Sequence, residues 1–488
     1  MKERQLSGYP LIINYIGTFI IFIGIVILLP LLILPFYPAE MDQAKYFILP
    51  GVGSLFIGYV INFIYRGCHK TNLERHQDAL LVVLVWVIAI LLGAIPFLLT
   101  GQYNFTQSVF EVTSGFSTTG LSVVDVSVAP HIFLIYRTIL LFVGGVGFVL
   151  VITSAISDKV GMRLYFAEGH NDKLMPNLLK SARMILSIYA VYIITGTIAY
   201  IIAGMPAFDA INHSIASVST GGFSTKVDSI GHYNSLSIEI ITMVLMLLGG
   251  TNFVIHLKLL TGKIGTVIRH SELIFVMVLA IILIPLLITS VYLYNGYSFL
   301  ESLRISSFQF ISAITTTGFQ TVSDFQIALP RFFISSVIIL MIIGGGFGST
   351  AGGIKQYRVV VAIKNAYWQI KQQVDHKNVV KKHFVNRLGK KHLLTDMDIN
   401  MNHGFIMAYI MILLIGTLII TSYGYTFQDS IFEFASALST VGLSTGIIGY
   451  DAPSVILWTG TIGMFLGRLE IFVVFVALSK LYADILRK

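Results

Sequence analysis

Four short stretches of this chain share a pattern suited to holding a dehydrated cation. They are Phe116–Ser122 (FSTTGLS), Val218–Ser224 (VSTGGFS), Ile314–Gln320 (ITTTGFQ) and Leu438–Ser444 (LSTVGLS). Each reads apolar, Ser or Thr, Thr, a variable residue, Gly, Phe or Leu, then Ser or Gln. A cation stripped of water needs several oxygens at fixed distances, and backbone carbonyls from loops around an axis supply them without a buried negative charge. Glycine suits the fixed position (Gly120, Gly222, Gly318 and Gly442) because carbonyls that point the same way require dihedrals a β-carbon resists. The hydroxyls of Thr118, Thr119, Thr220, Thr316, Thr317 and Thr440 can add an oxygen or brace the backbone. Gly221 and Val441 have no hydroxyl at the variable position, so coordination there falls to carbonyls. Small residues that merely let helices pack closely would explain one copy better than four in the same context.

A second set of glycines follows about two dozen residues after each copy: GGVGF at 144–148, GGTNF at 249–253, GGGFGSTAGG at 344–353 and GMFLGRLE at 463–470. The third is extreme. Gly344, Gly345, Gly346, Gly348, Gly352 and Gly353, with Ser349 and Thr350, cannot hold a straight helix, so a loop at mid-membrane depth is predicted there, a natural gate. It is no Walker A motif, because Ile354 separates the last glycine from Lys355 and Gln356 follows. Arg468 stands in an otherwise uncharged stretch, where an ionised side chain costs roughly 3 kcal/mol unless it faces protein or water. It is expected in the conduction path below the filter, on carbonyls of the broken loop, opposing a resident cation. Glu470, two positions on, cannot share its helix face. Arg137 is expected to pair with a loop acid or brace a pore segment, and His256 to pack or hydrogen-bond.

The elements that must position these residues are membrane spans. The 488 residues are 55% apolar and 11% charged, with a mean hydropathy of +0.82, beyond what a water-soluble core requires. Apolar spans are predicted at 11–34 and 46–65, and then one order recurs four times: span, short amphipathic piece, Gly-containing stretch, second span. The first spans fall near 80–100, 182–204, 272–294 and 403–422, and the second near 131–156, 236–260, 331–354 and 454–482. The pieces between, 106–117, 208–219, 301–315 and 428–439, are too short to cross and must enter and leave by one face. The expected fold is an all-α integral membrane protein of four tandem helix, re-entrant pore helix and helix repeats in a pseudo-fourfold ring, plus two extra N-terminal transmembrane helices. Its divisions are an N-terminal addition at 1–78, repeats at 79–158, 159–262 and 263–370, a basic loop at 371–401 and a fourth repeat at 402–488.

Charge orients the chain. With the N-terminus in the cytoplasm, only Lys45, Lys226, Arg304 and Arg331 of the 32 Lys and Arg fall outside, Arg137 and Arg468 lie in spans, and the C-terminus is cytoplasmic. The net charge of +8 therefore answers to topology rather than to nucleic acid. Half of the acids fall outside, among them Glu111, Asp125, Asp209, Asp228, Glu301, Asp324, Asp429 and Glu433, an acidic mouth that would concentrate cations. The basic stretch Lys355–Asn400 reads equally as a lipid-facing solvated loop or as a dock for a cytosolic partner. Cys68 alone permits no internal disulfide.

Taken together, the four filter-like copies, GGGFGSTAGGIK and the terminal GRLE resemble the Trk/Ktr/HKT superfamily of potassium transporters. The two extra helices, GMRLYFAEG at 161–169 and HSIASVSTGGFST at 213–225 look like its TrkH branch. The resemblance implies a potassium-conducting subunit of a bacterial-type plasma (inner) membrane, a homodimer with one pore per protomer. It also implies a cytosolic nucleotide-binding regulatory ring of the TrkA or KtrA type. No nucleotide site or covalent cofactor is visible in the chain itself. Relatives with Ser at the first filter glycine tend to pass sodium, so Gly120 favours potassium, and in the family the third-repeat loop and the Arg of GRLE form the gate. The fourth copy, STVG, is more regular than in many TrkH proteins, which makes a more symmetric ring. The rival readings are a sodium or sodium–potassium transporter, a proton-coupled symporter using Glu470 or His256, and, from another class, a membrane enzyme. Against the last, no His/Asp/Glu cluster with metal spacing, no nucleophile with a partnered base and no cofactor fingerprint appears at membrane depth.

Overall fold

The computed structural model describes residues 5–6, 8–66, 69–70, 76–147, 178–322, 329–374 and 383–486. Cys68, Asp324, the GMRLYFAEG segment and the end of the first repeat's second span lie outside them. Among the described residues, six helices are long and apolar enough to span a membrane: Gly8–Ile33, Pro38–Ile64, Gln77–Leu99, Arg183–Ile202, Ser271–Asn295 and Asp396–Thr421. The last four are the first spans of the repeats. The two preceding helices pair through glycine, with a β-carbon on Gly24 or Gly58 striking the backbone of Gly51 or Gly17. That pair packs on the first repeat, sharing Phe19, Phe47, Trp86 and Phe133 in one core.

Four short helices follow the first spans: Phe105–Phe116, Ala207–Val218, Phe299–Ile314 and Phe427–Leu438. At 12 to 16 residues they cannot cross a bilayer. Their starts are encoded locally. Asn104 and Ser298 close capping boxes with Gln107 and Glu301, and Thr426 caps through Asp429 N–H. Proline at 130, 330 and 453 then launches the second segments of three repeats.

Those second segments depart from the expectation of continuous spans. The segment at 236–260 is two helices, Leu236–Gly249 and Phe253–Leu260, bent by 106°, and the last is Ser454–Arg468 and Ile471–Leu486, bent by 98°. Arg331–Ile343 gives way to a loop as predicted from its glycines, and His131–Val146 ends at Gly147 with φ of 93°. At the second break Asn252 starts a new helix by accepting Val254 N–H at 2.8 Å, and at the fourth Glu470 is left-handed (φ 53°). Lys355–Asn400 is likewise not one loop. It contains a helix, Gln356–Val374, and a hairpin of Phe384–Arg387 with Lys390–Leu393. The hairpin turns on Leu388 and Gly389, both at positive φ. Val360 and Val361 pack with Val385, Leu394 and Ile399 into a small core of its own.

Candidate functional site

All four short helices end in one turn. Ser117, Ser219, Thr315 and Ser439 are the C-caps, and the next residues, Thr118, Thr220, Thr316 and Thr440, are left-handed with φ of 54°, 52°, 51° and 53°. Their N–H groups bond back to Gly115, Ser217, Ala313 and Ala437, and the following N–H groups to Ser114, Ala216, Ser312 and Ser436, all at 2.8–3.2 Å. This is a Schellman turn, normally closed by glycine. A β-branched residue there costs about 1–3 kcal/mol, and the strain is repeated in every copy.

The glycines close a ring. A β-carbon on Gly120 would strike the carbonyl of Gly221, one on Gly222 that of Thr317, one on Gly318 that of Val441, and one on Gly442 that of Thr119. Each copy thus sets its glycine against the variable residue's carbonyl in the next copy, and the fourth returns to the first. All four glycines have positive φ and line one cavity of about 260 Å³. The hydroxyls of Thr119 and Thr317 turn away to Ser117 and Thr315, at 2.6 and 2.8 Å, so these two side chains brace the turn. Four helix C-termini end at the ring, and their partial negative charge adds to that of the carbonyls. Such a ring can replace the hydration shell of a cation.

Behind the ring stands a set that the sequence reading missed as a group. Nine positions before each glycine lie Glu111, His213, Gln309 and Glu433, all buried. Glu111 accepts from Val123 N–H at 2.9 Å and Ser122 Oγ at 3.0 Å, Glu433 from Thr445 N–H at 2.7 Å and Ser444 Oγ at 2.6 Å, and His213 Nε2 meets Ser224 Oγ at 2.9 Å. In the third copy the serine is replaced by Gln320, and neither amide atom of Gln309 has a hydrogen-bond partner among the described residues. Ser229 and Gly231 of the neighbouring repeat hold the Gln320 backbone instead. The signal was in the sequence: serine two places after the glycine goes with a charged or imidazole side chain nine before it, and Gln takes both places together.

The mouth is less acidic than expected. Glu111 and Glu433 are buried behind the ring, and Asp209 is tied to Thr225, Tyr233 and Lys226. Glu111 is further paired with Arg137 at 2.7 Å, whose guanidinium lies 4.0 Å over the Phe223 ring of the second repeat. Asp125 does line the cavity, exposed, alongside Arg137 and Lys226. The N–H and hydroxyl of Ser127 donate to its carboxylate and hold its pKa below the usual 3.8.

Directly beneath the ring runs the loop 344–355, buried through most of its length. It is stitched to every repeat. Thr220 Oγ1 donates to the Ser219 carbonyl at 2.7 Å, which leaves Thr350 Oγ1, 2.8 Å away, to donate to it, and Gly352 N–H donates to Thr316 Oγ1 at 2.8 Å. A β-carbon on Gly352 would strike the Ser439 carbonyl. Gly346 N–H donates to Gly250 O, Ser349 Oγ to Gly346 O, and Gly345 N–H to Gly352 O, while Gly348 O accepts from Phe253 N–H. Gly344 and Gly353 meet back to back at positive φ, where any side chain would collide. Arg468 donates to the Thr350 carbonyl at 3.0 Å and to the Gly144 carbonyl, so it ties the loop to the first repeat.

Glu470, freed from Arg468's helix by the break, grips the far end of the loop through Arg358 at 2.6 Å and Lys355 at 3.2 Å. The hairpin reaches the same loop by two routes. Arg387 lies 4.9 Å over the Phe347 ring, and Leu388 N–H donates to His270, whose Nε2 is 3.2 Å from the Glu272 carboxylate that accepts Phe347 N–H. His256 hydrogen-bonds Leu248 O and Tyr192 and touches none of this.

The fold and this site define a class: a helical membrane protein whose four short helices converge on a ring of glycines set against backbone carbonyls, with a buried loop packed beneath it. Residues 55–485 match the TrkH family model, described as a cation transport protein. The chain belongs to the TrkH family. It is 31% identical over 499 residues to an uncharacterized cation transporter of Methanocaldococcus jannaschii, covering 100% of this chain and 98% of that one. It is also 31% identical over 430 residues to the Trk system potassium uptake protein TrkH of Salmonella typhimurium, covering 85% and 87%. The crystal structure of the potassium transporter TrkH from Vibrio parahaemolyticus superposes with a TM-score of 0.85 at 26% identity, covering 97% of this chain and 99% of the other. These relatives are ion transporters, and the fit to a potassium transporter of many transmembrane helices covers 97% of this chain.

Proposed function

We infer that this chain takes potassium into the cell through a filter formed by the carbonyls of 118–120, 220–222, 316–318 and 440–442. The observation that carries the reading is the closed ring in which each filter glycine abuts the next copy's carbonyl. A dehydrated monovalent cation is matched by four converging carbonyls without a fixed countercharge. Gly120, rather than serine, favours potassium over sodium.

Loop 344–353 and Arg468 act as the gate. A guanidinium bound to Thr350 O below the filter opposes a cation there and holds the loop seated. The mouth faces outward and both termini face the cytoplasm of a bacterial-type inner membrane, so each 100 mV, negative inside, favours entry by roughly 2.3 kcal/mol. The four repeats at 79–158, 159–262, 263–370 and 402–488 are the units of the pore, and the addition at 1–78 flanks the first. The chain works as a homodimer, and a cytosolic nucleotide-binding subunit of the TrkA or KtrA type sets the gate from the basic 371–401 region. Nucleotide acts only through that subunit.

The test is ion uptake into proteoliposomes under an imposed inside-negative potential. Potassium and rubidium uptake well above sodium, with selectivity eroded by Gly120→Ser, supports the filter. Equal sodium uptake replaces it with a sodium-transporting pore on the same scaffold.

A further inference from the structure

The loop and the filter use the same oxygens. The four left-handed threonines that begin the filter have matching backbones, with φ of 51–54°, and stand at equivalent places around the ring. Two of their hydroxyls are occupied by the loop: Thr220 by Thr350 Oγ1 and Thr316 by Gly352 N–H. The other two, on Thr118 and Thr440, are buried with no hydrogen-bond partner among the described residues. Thr440 Oγ1 also faces the loop, since a β-carbon on Gly352 would strike it.

A buried hydroxyl oxygen without a donor is costly, and a dehydrated cation is the partner that four such oxygens at one level would suit. The Gly352 N–H works against a cation twice, because it takes a lone pair of Thr316 and presents its own positive end to the same space.

We propose that the seated loop keeps the innermost cation site half-assembled, competing with the cation for the hydroxyl oxygens of Thr220 and Thr316. The site is complete only when Thr350 and Gly352 withdraw. Linkage makes the effect reciprocal: whatever unseats the loop tightens cation binding, and the cation that prefers the complete site favours the open loop by the same factor. Gate and filter are therefore one equilibrium. The inference rests on the filter reading above and adds to it the coupling between ion occupancy and opening.

Equilibrium binding of radioactive Rb+ to the purified full-length protein, at constant ionic strength in choline chloride, tests it. Thr350→Val keeps the volume and removes the hydroxyl that holds Thr220. It should lower the half-saturating Rb+ concentration roughly three- to tenfold, the worth of about one hydrogen bond. Gly352→Ala, which collides with Ser439 O and Thr440 Oγ1, unseats the loop from the other side and should act in the same direction. Thr118→Val removes a hydroxyl that makes no hydrogen bond to the loop and should raise the concentration in either background. Unchanged Rb+ affinity in Thr350→Val and Gly352→Ala, with Thr118→Val still weakening binding, overturns the coupling and leaves the filter standing. Absence of saturable Rb+ binding in every form overturns the filter reading and the coupling with it.

Discussion

The filter and the inner halves of the second segments are built by opposite rules. In the filter four copies repeat the same turn, the same left-handed threonine and the same glycine against the same neighbour carbonyl. In the described inner halves that equivalence is lost: the second and fourth bend sharply, by 106° and 98°, while the third becomes a buried loop. A cation on an axis is best met by equal oxygens from all sides, so conduction selects for equivalence. Closing that axis needs one element that crosses it, and a single crossing loop cannot be symmetric. Glycine serves both regions, but in the first it admits a carbonyl and in the second it frees the backbone to leave the helix.

The largest expected effect attacks the support of the symmetric region. Arg137→Ala leaves Glu111 ionised or protonated in a fully buried place behind the first copy, and should cost about 3–5 kcal/mol of stability, seen as a lowered unfolding midpoint in detergent. Gly318→Ala comes next. Its β-carbon meets the Val441 carbonyl at a φ of 84°, and potassium-over-sodium selectivity in proteoliposome uptake should fall about a hundredfold, near 3 kcal/mol. Alanine at Gly120, Gly222 or Gly442 should be comparable, and a tenfold spread among the four would break the equivalence.

Arg468→Ala should unseat the loop, raising potassium uptake about tenfold through loss of charge-assisted bonds and tightening Rb+ binding as Thr350→Val does, while leaving potassium-over-sodium selectivity intact. Loss of selectivity instead would mean that Arg468 shapes the ring itself and not only the seating of the loop. Installing the missing brace, Gln309→Glu with Gln320→Ser, should make the third copy like its neighbours and raise the unfolding midpoint by the equivalent of roughly 1 kcal/mol. No change would show that the bonds from Ser229 and Gly231 already suffice.

The smallest effect belongs to the mouth. Asp125→Asn should reduce uptake less than about twofold, more at low salt. Because hydrogen bonds depress the Asp125 pKa, its charge persists above that value and is lost only as pH falls through it, below 3.8. The difference between wild type and Asp125→Asn should therefore be flat from pH 8 to 5 and vanish in stronger acid.

Much of the repeated architecture was legible because it is written locally. Hydrophobic length marks the spans, capping residues mark the short helices, and six glycines in ten residues mark the third loop. The bends at Gly250–Asn252 and Leu469–Glu470 were not legible, since neither stretch has a composition that forces a break. Asn252 and Glu470 turn the chain through partners about a hundred residues away, Phe347 O for one and Lys355 with Arg358 for the other. Glu111 and Glu433 looked like mouth acids for the same reason: sequence gives a residue its side of the membrane, while burial depends on what packs over it.

From sequence alone came the membrane class, the fourfold repeat, the four glycines that meet in the ring, the glycine-broken loop and a charged residue beside it, because each follows from hydropathy, periodicity or the conformational freedom of glycine. Tertiary structure alone decided which carbonyl each glycine faces, which threonine hydroxyls the loop takes, and that Arg468 and Glu470 hold opposite ends of that loop. Those are relations between copies folded about a common axis, and no property of a single stretch contains the position of its neighbour around a ring.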